Sequence, residues 1–290
     1  MLANNVCAIV VTFHPNDDIV SNLAALRPQV QQLLVVDNGS AAALLEILRR
    51  ASKALSFELI ENGENLGIAT ALNIGIRRAT TPWILLFDQD SCVTPDFTQN
   101  MIRCFKCSRW GDRLALLVPR YQDKRFGSVI PPDRLAFGSL AVAMTSGSLV
   151  RRETFQTHGL FEDDLFIDGV DHEYSLRLRA ANLMLDECEE AVLLHSPGTP
   201  TFYRWMGWSF QTANYSPIRR YYQERNKLWL CKRYFLKFPH YCAGRILVTF
   251  TDLLKIILCE QGKVRKVRFF LRGVVDGMLG RTGRFDPPSA

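Results

Sequence analysis

The sequence predicts an α/β protein organised around a mostly parallel sheet, and three observations carry that reading. Apolar runs of strand length alternate with helical patterns through the first 120 residues. Polar residues follow several of those runs directly, where parallel sheets place their ligands. The 290-residue chain is 48% hydrophobic and 22% charged, enough apolar material for one large domain with an appendage and too little charge for general disorder.

The elements follow in order. Cys7–Phe13 reads as a buried strand, and Pro15-Asn16-Asp17 as the start of a helix carrying Ile19, Leu23, Leu26 and Val30. Leu33–Val36 is a second strand ending at Asp37-Asn38-Gly39-Ser40. A helix over 41–53, a strand at Phe57–Ile60, a polar loop from Glu61 to Asn65 and a helix over 67–79 come next. The strand Trp83–Phe87 then ends at Asp88-Gln89-Asp90. Strands alternating with helices imply parallel βαβ units covered on both faces. Phe13-His14, Asp37-Asn38 and Asp88-Gln89-Asp90 should therefore meet at one crevice. A helix over 95–107 and a strand at Leu114–Val118 follow. Residues 119–139 read as an irregular loop of the kind that borders active sites. A helix over 171–182 and a strand at Ala191–Leu194 complete the alternation.

Charge divides the chain. Residues 201–290 hold 17 Lys/Arg against 5 Asp/Glu, a balance of +12, which leaves residues 1–200 at −6 within the total of +6. The acidic first part argues against a nucleic-acid partner. Met1–Asn5 lacks a basic leader, so no secretory signal is expected, and the eight cysteines are expected to be reduced thiols of a cytoplasmic protein. Cys104-x-x-Cys107 has no second pair to complete a zinc site.

Four motifs carry chemistry. In Asp88-Gln89-Asp90-Ser91, two carboxylates one residue apart suit a hard cation, Mg²⁺ or Mn²⁺, that would bridge a diphosphate; acidic residues also end strands for purely local reasons. Asp37 could accept a hydrogen bond from a pyrimidine imide, or close an Asx turn with Gly39 and Ser40. Asn65-Leu66-Gly67, with Ala71 and Asn73 downstream, places small residues at a helix start where N–H groups favour anions. Asp168, Asp171 and Glu173 gather carboxylates at another helix start, where one could serve as a general base, while Glu173 and Arg177 form an i,i+4 pair. His195 follows a strand and is a candidate for the metal shell or the diphosphate.

Taken in order, these motifs resemble the inverting family 2 glycosyltransferases of the GT-A fold, and within them bacterial L-rhamnosyltransferases. The matching segments are Val11–Pro15, Asp37–Ser40, Asn65–Ala69, Asp88–Ser91, Ser146-Gly147, Phe166–Tyr174 and Arg225-Asn226, which span about residues 6–230. The resemblance implies a GT-A catalytic domain over 1–200, with its nucleotide-sugar part at 1–118 and its acceptor part at 140–200. A basic, aromatic-rich helical extension occupies 201–290. Thr12, Phe13, Asp37, Asn38, Asn65, Gly67, Ala71, Asp88 and Gln89 would bind the nucleotide sugar. Asp90 would hold the metal, with His195 as a second ligand. Counting back from Arg177 places the base on Asp171, with Val170 where the family has Glu, and Asp168 and Glu173 remain rivals. The donor implied is dTDP-β-L-rhamnose. The acceptor implied is a saccharide or lipid-linked glycan intermediate of O-antigen or capsule. A UDP-sugar transferase and a non-enzymatic, basic membrane-binding module are the alternatives. A nucleotidyltransferase is discounted, because Phe13-His14-Pro15-Asn16 replaces its Gly-rich loop.

No stretch is long and apolar enough to span a bilayer. From Ala243 to Leu258 the apolar residues fall mostly on one helical face, and Lys263, Arg265, Lys266 and Arg268 follow, then Phe269, Phe270 and Leu271. That pattern suits a helix lying on the anionic inner face of the cytoplasmic membrane. It serves equally for packing on the catalytic domain or for a homo-oligomer.

Overall fold

The computed structural model describes residues 5–124, 127–195, 201–205, 208–212 and 214–286. The chain forms two compact units. The first comprises Met1–Glu162 and Asp171–Ser196, the second Asp163–Val170 and Pro197–Ala290.

The first unit runs β1 (Val6–Thr12), α1 (Ile19–Leu26), β2 (Gln32–Asp37), α2 (Ala42–Leu55), β3 (Glu58–Glu61), α3 (Ile68–Arg78), β4 (Trp83–Asp88), β5 (Cys92–Val93), α4 (Phe97–Lys106), β6 (Leu114–Asp123), β7 (Val129–Ile130), β8 (Leu149–Arg151), α5 (Arg152–His158), α6 (Val170–Ala180) and β9 (Met184–His195). Its sheet has the order β3-β2-β1-β4-β8-β6-β9-β5, with β7 on β6. The pairs β3-β2, β2-β1, β1-β4 and β6-β9 are parallel. Short antiparallel contacts of β8 with β4 and β6 join the two parallel parts. Every residue of β1 is buried, as expected for a strand covered on both faces.

Several boundaries differ from expectation. The first helix starts at Ile19 and stops at Leu26, because Pro28 cannot donate to a continuing helix; Val30 lies beyond it, in extended backbone. The segment expected to be irregular from residue 119 continues β6 to Asp123 and turns back through β7. Arg134 pins the rest of that loop to β9, donating to Asp186 at 2.9 Å and Glu187 at 2.8 Å. Helix α3 owes its small residues to packing. A β-carbon on Gly75 would lie 2.5 Å from the Ile9 side chain, and Asn73 holds the backbone of Phe161 through both its carbonyl and its N–H. Cysteine chemistry departs from the expected free thiols as well. Cys104 on α4 and Cys188 on β9 form a disulfide, with the Glu190 carboxylate beside both sulfurs, and Cys107 is left out.

The second unit holds the hairpin β10 (Thr201–Trp205) and β11 (Trp208–Thr212), then α7 (Pro217–Tyr234), α8 (Pro239–Cys259) and α9 (Lys263–Met278). Helices α7 and α9 approach closely because α9 presents glycine at i and i+4. A β-carbon on Gly273 would sit 2.4 Å from the Tyr221 carbonyl oxygen, and one on Gly277 2.6 Å from that of Arg225. Glu260 is enclosed by cations: Arg220 and Lys266 donate to it, as does Thr212. Burial raises its pKa, and those three donors together pull it below the usual carboxylate range.

The segment 163–170 belongs to this unit, and its backbone is unusual. Phe166 and Asp168 adopt positive φ angles of 63° and 62°, a conformation non-glycine residues hold only under constraint. The constraint comes from α7. The Asn226 side-chain amide donates to the carbonyls of Leu165, Ile167 and Asp168 at 2.7–2.8 Å, and Arg225 donates to Leu165 at 3.1 Å. This is what Arg225-Asn226 does structurally. Asn226→Ala should strip the Ile167 and Asp168 carbonyls of this donor and leave Leu165 with Arg225 alone, at about 1–3 kcal/mol. Hydrogen exchange at Phe166 and Ile167 should accelerate by about 5- to 150-fold; unchanged exchange would refute the clamp.

Candidate active site

Strand register brings the expected ends together. Thr12 pairs with Asp37 across β1–β2, and Val11 pairs with Asp88 across β1–β4. Side chains then lace these ends. The Thr12 hydroxyl donates to Asp37 Oδ1 at 3.0 Å, and the Phe13 N–H donates to Gln89 Oε1 at 2.8 Å. His14 closes the edge, its N–H on the Ser40 hydroxyl and its ring Nδ1 accepting from the Ala41 N–H.

The Asp37–Ser40 loop is an Asx-type turn. Asp37 is 1% exposed and accepts from the Gly39 and Ser40 N–H groups and the Ser40 hydroxyl, in addition to Thr12. Those four bonds use the acceptor capacity of a carboxylate. Asn38 is equally committed. Its amide donates to Asn65 Oδ1 and the Gly67 carbonyl, and its oxygen accepts from Asn62 and the Leu66 N–H. Gly39, at φ 92°, is required there, since a β-carbon would lie 2.6 Å from the Glu64 backbone. The Asn65–Gly67 segment is thereby fixed to the Asp37 loop, with Gly67 immediately preceding α3. Thr12, Asp37, Asn38 and Gly67 are thus buried residues that shape the loops. Ala71, expected to line the donor site, is fully buried within α3. Phe13 is exposed, and Gln89, Asp88, Asp90 and Asn65 are half-buried.

A junction absent from the sequence reading holds the acidic turn. The Ser146 hydroxyl accepts from the Asp88 N–H at 3.1 Å and lies 2.6 Å from the Ser91 hydroxyl. The buried Tyr121 hydroxyl donates to the Ser146 carbonyl at 2.7 Å. Burial first, then the charges of Asp88, Asp171 and Glu187, push the Tyr121 phenol well above its ordinary pKa. The phenol therefore stays protonated. Ser146-Gly147 was a visible motif; Tyr121 carried no signal, because its strand reads as a loop.

The three candidate bases differ in their surroundings. Asp171 is half-buried, with one carboxylate oxygen accepting from the His172 N–H at 2.8 Å. Glu173 is fully buried and held bidentately by Arg177, which also donates to the carbonyls of His158 and Leu160. Asp168 lies in the second unit and pairs with Arg219 at 3.2 Å. His195 closes β9 with its backbone opposite Asp123; its side chain lies outside the described residues. Asp88 and Asp90 offer hard oxygen donors at one turn, and the donor set suits a cation that completes its shell with phosphate oxygens and water. Among the described residues, three ligand-type groups converge only at Cys104, Cys188 and Glu190, away from this turn.

Residues 7–107 match the family Glycosyl transferase family 2. Over 97% of its length the chain is 26% identical to a protein of Shigella flexneri named dTDP-rhamnosyl transferase RfbF, covering 97% of that protein as well. A 90-residue stretch is 30% identical to poly-beta-1,6-N-acetyl-D-glucosamine synthase of Staphylococcus aureus, over 31% of this chain and 22% of that one. Among solved structures, GalNAc-T7 with UDP, GalNAc and Mn²⁺ superposes with a TM-score of 0.62 at 14% identity; the alignment covers 82% of this chain and about half, 49%, of that one. The mannosyltransferase PcManGT from Pyrobaculum calidifontis, with GDP-Man and Mn²⁺, gives 0.55 at 13% identity, covering 94% of this chain and 87% of that one. Residues 7–107, which carry the laced strand ends, are thus a glycosyl transferase family 2 segment, set in a sheet of the GT-A fold.

Proposed function

We propose that this glycosyltransferase moves L-rhamnose from dTDP-β-L-rhamnose to a hydroxyl of a cell-surface glycan intermediate, with inversion, and that Asp171 is its base. One observation carries the mechanism. Of the two carboxylates in the first turn of α6, Asp171 is half-buried and open to an acceptor, whereas Glu173 is fully buried and held by Arg177. The full-length likeness to the Shigella flexneri rhamnosyl transferase supports the donor.

In this reading the pyrimidine base docks against the Asp37–Ser40 loop beside Phe13. The diphosphate lies toward Asp88 and Asp90 and the start of α3. Asp90, with Asp88 beside it, would hold Mg²⁺ or Mn²⁺, which supplies Lewis-acid neutralisation of the departing diphosphate. Asp171 accepts the proton of the acceptor hydroxyl as that oxygen bonds to the anomeric carbon. The bond from that carbon to the diphosphate oxygen breaks on the opposite face, and its electron pair leaves with dTDP. Attack opposite the leaving group converts the β-linked donor into an α-L-rhamnoside. Tyr121, locked as a neutral donor on Ser146, keeps the acidic turn in place without taking part in proton transfer.

Incubating the full chain with dTDP-rhamnose, UDP-N-acetylglucosamine, UDP-glucose and GDP-mannose, with Mg²⁺ or Mn²⁺, should release nucleoside diphosphate fastest from dTDP-rhamnose. Preferred hydrolysis of a UDP-sugar would overturn the rhamnose assignment and leave the family intact. Asp171→Asn keeps the side-chain shape but removes the proton acceptor. Its transfer rate should fall roughly 10²- to 10⁴-fold while dTDP affinity stays the same. A normal rate in Asp171→Asn would remove Asp171 from the mechanism.

A further inference from the structure

Helix α8 is 21 residues long, and only Cys242 and Ile256 of it are fully buried. Its exposed residues include Ile246, Leu247, Phe250, Leu254, Ile257 and Leu258. Their spacing of three and four residues places them along one stripe. Helix α9 has the same character on a different basis. Lys266, Phe270, Gly273 and Gly277 form its buried face, and Val264, Leu271, Val275 and Met278 lie in the open. No described helix is long and apolar enough to cross a membrane.

Charge decides what covers this surface. The exposed cations Lys263, Arg265 and Arg268 open α9 beside its exposed Val264. Lys266 is excluded from that set: it is buried, donating to Glu260 and Asn214. Phe270 is likewise buried against the unit and cannot insert anywhere. A second copy of the chain would bring another stretch of net +12 against the first, which repels. Nucleic acid would meet the cations and leave the apolar stripe in water. An anionic bilayer satisfies both, with acyl chains for the stripe and headgroups for the cations.

We propose that the α8 stripe and the Lys263–Arg268 cations dock this enzyme flat on an anionic lipid surface, without spanning it. The proposal does not rest on the donor assignment, and its test needs no turnover. The full chain should co-sediment with phosphatidylcholine vesicles carrying phosphatidylserine, and far less with phosphatidylcholine alone. Raised salt should weaken binding, since screening acts over about 10 Å at 0.1 M. The double variant Lys263→Glu/Arg268→Glu should lower the partition coefficient by about 25-fold or more, from about fivefold for each cation lost. Leu247→Glu/Leu254→Glu, at exposed positions that leave the fold and its circular dichroism unchanged, should abolish binding on both vesicle types. Three results would overturn the proposal. One is no sedimentation with anionic vesicles at low salt. Another is a dimer by light scattering that Leu247→Glu/Leu254→Glu dissolves. The third is retention on RNA that this variant leaves intact.

Discussion

Ser146 stands between the main chain of Asp88 and the hydroxyl of Ser91, and the geometry of the acidic turn depends on that contact. Two consecutive groups of the residue are used: its hydroxyl takes the turn, and its carbonyl takes the phenol of Tyr121. The next residues continue the lattice, with the Gly147 N–H on Leu86 and the Leu86 N–H on Ser148. A turn carrying two carboxylates repels itself. It persists because buried neutral donors and acceptors fix its backbone from behind, where no water competes. Gly147 enables the arrangement: at φ 78° it passes within contact of Pro119 and Leu193, where any side chain would collide.

The same logic of rigid backing appears on the nucleotide side. Asp37 and Asn38 are the most conspicuous polar residues there, and both spend their hydrogen bonds inside the protein. What they build is a surface: Asn38 ties the Asp37 loop, the Asn65–Gly67 loop and the start of α3 together, and the Asn62 N–H on the Asp37 carbonyl adds to it. Preorganisation of this kind spares the donor the entropic cost of ordering loops on binding. Beside these buried residues Phe13 is exposed, and Asp88 and Asp90 are half-buried.

Strand ends were legible because strands buried on both faces read as unbroken apolar runs, and polar residues that interrupt such runs stand out. The strands β5 and β8 were not, since two or three residues carry no period. The disulfide joins residues 84 apart, and no spacing rule reaches that far. Glu173 and Arg177 were visible as a helical pair, yet Arg177 is also held by the carbonyls of His158 and Leu160, which sequence leaves distant. Ala71 is fully buried, and sequence cannot tell a helix start that suits anions from a helix packed on a sheet, because both use the same small residues. Lys266 shows the limit in the tail: periodicity marks which residues share a face, but only tertiary partners such as Glu260 reveal a cation turned inward.

The proposed transfer requires the acidic turn to be a cation site that works together with a nucleoside diphosphate. Titrating Mn²⁺ into the full chain, with and without dTDP, and following free Mn²⁺ by its electron paramagnetic resonance tests this directly. The Mn²⁺ site should tighten when dTDP is present and disappear in Asp90→Asn, with Asp171→Asn unaffected. Equal Mn²⁺ binding by the native chain and Asp90→Asn in the presence of dTDP would contradict it.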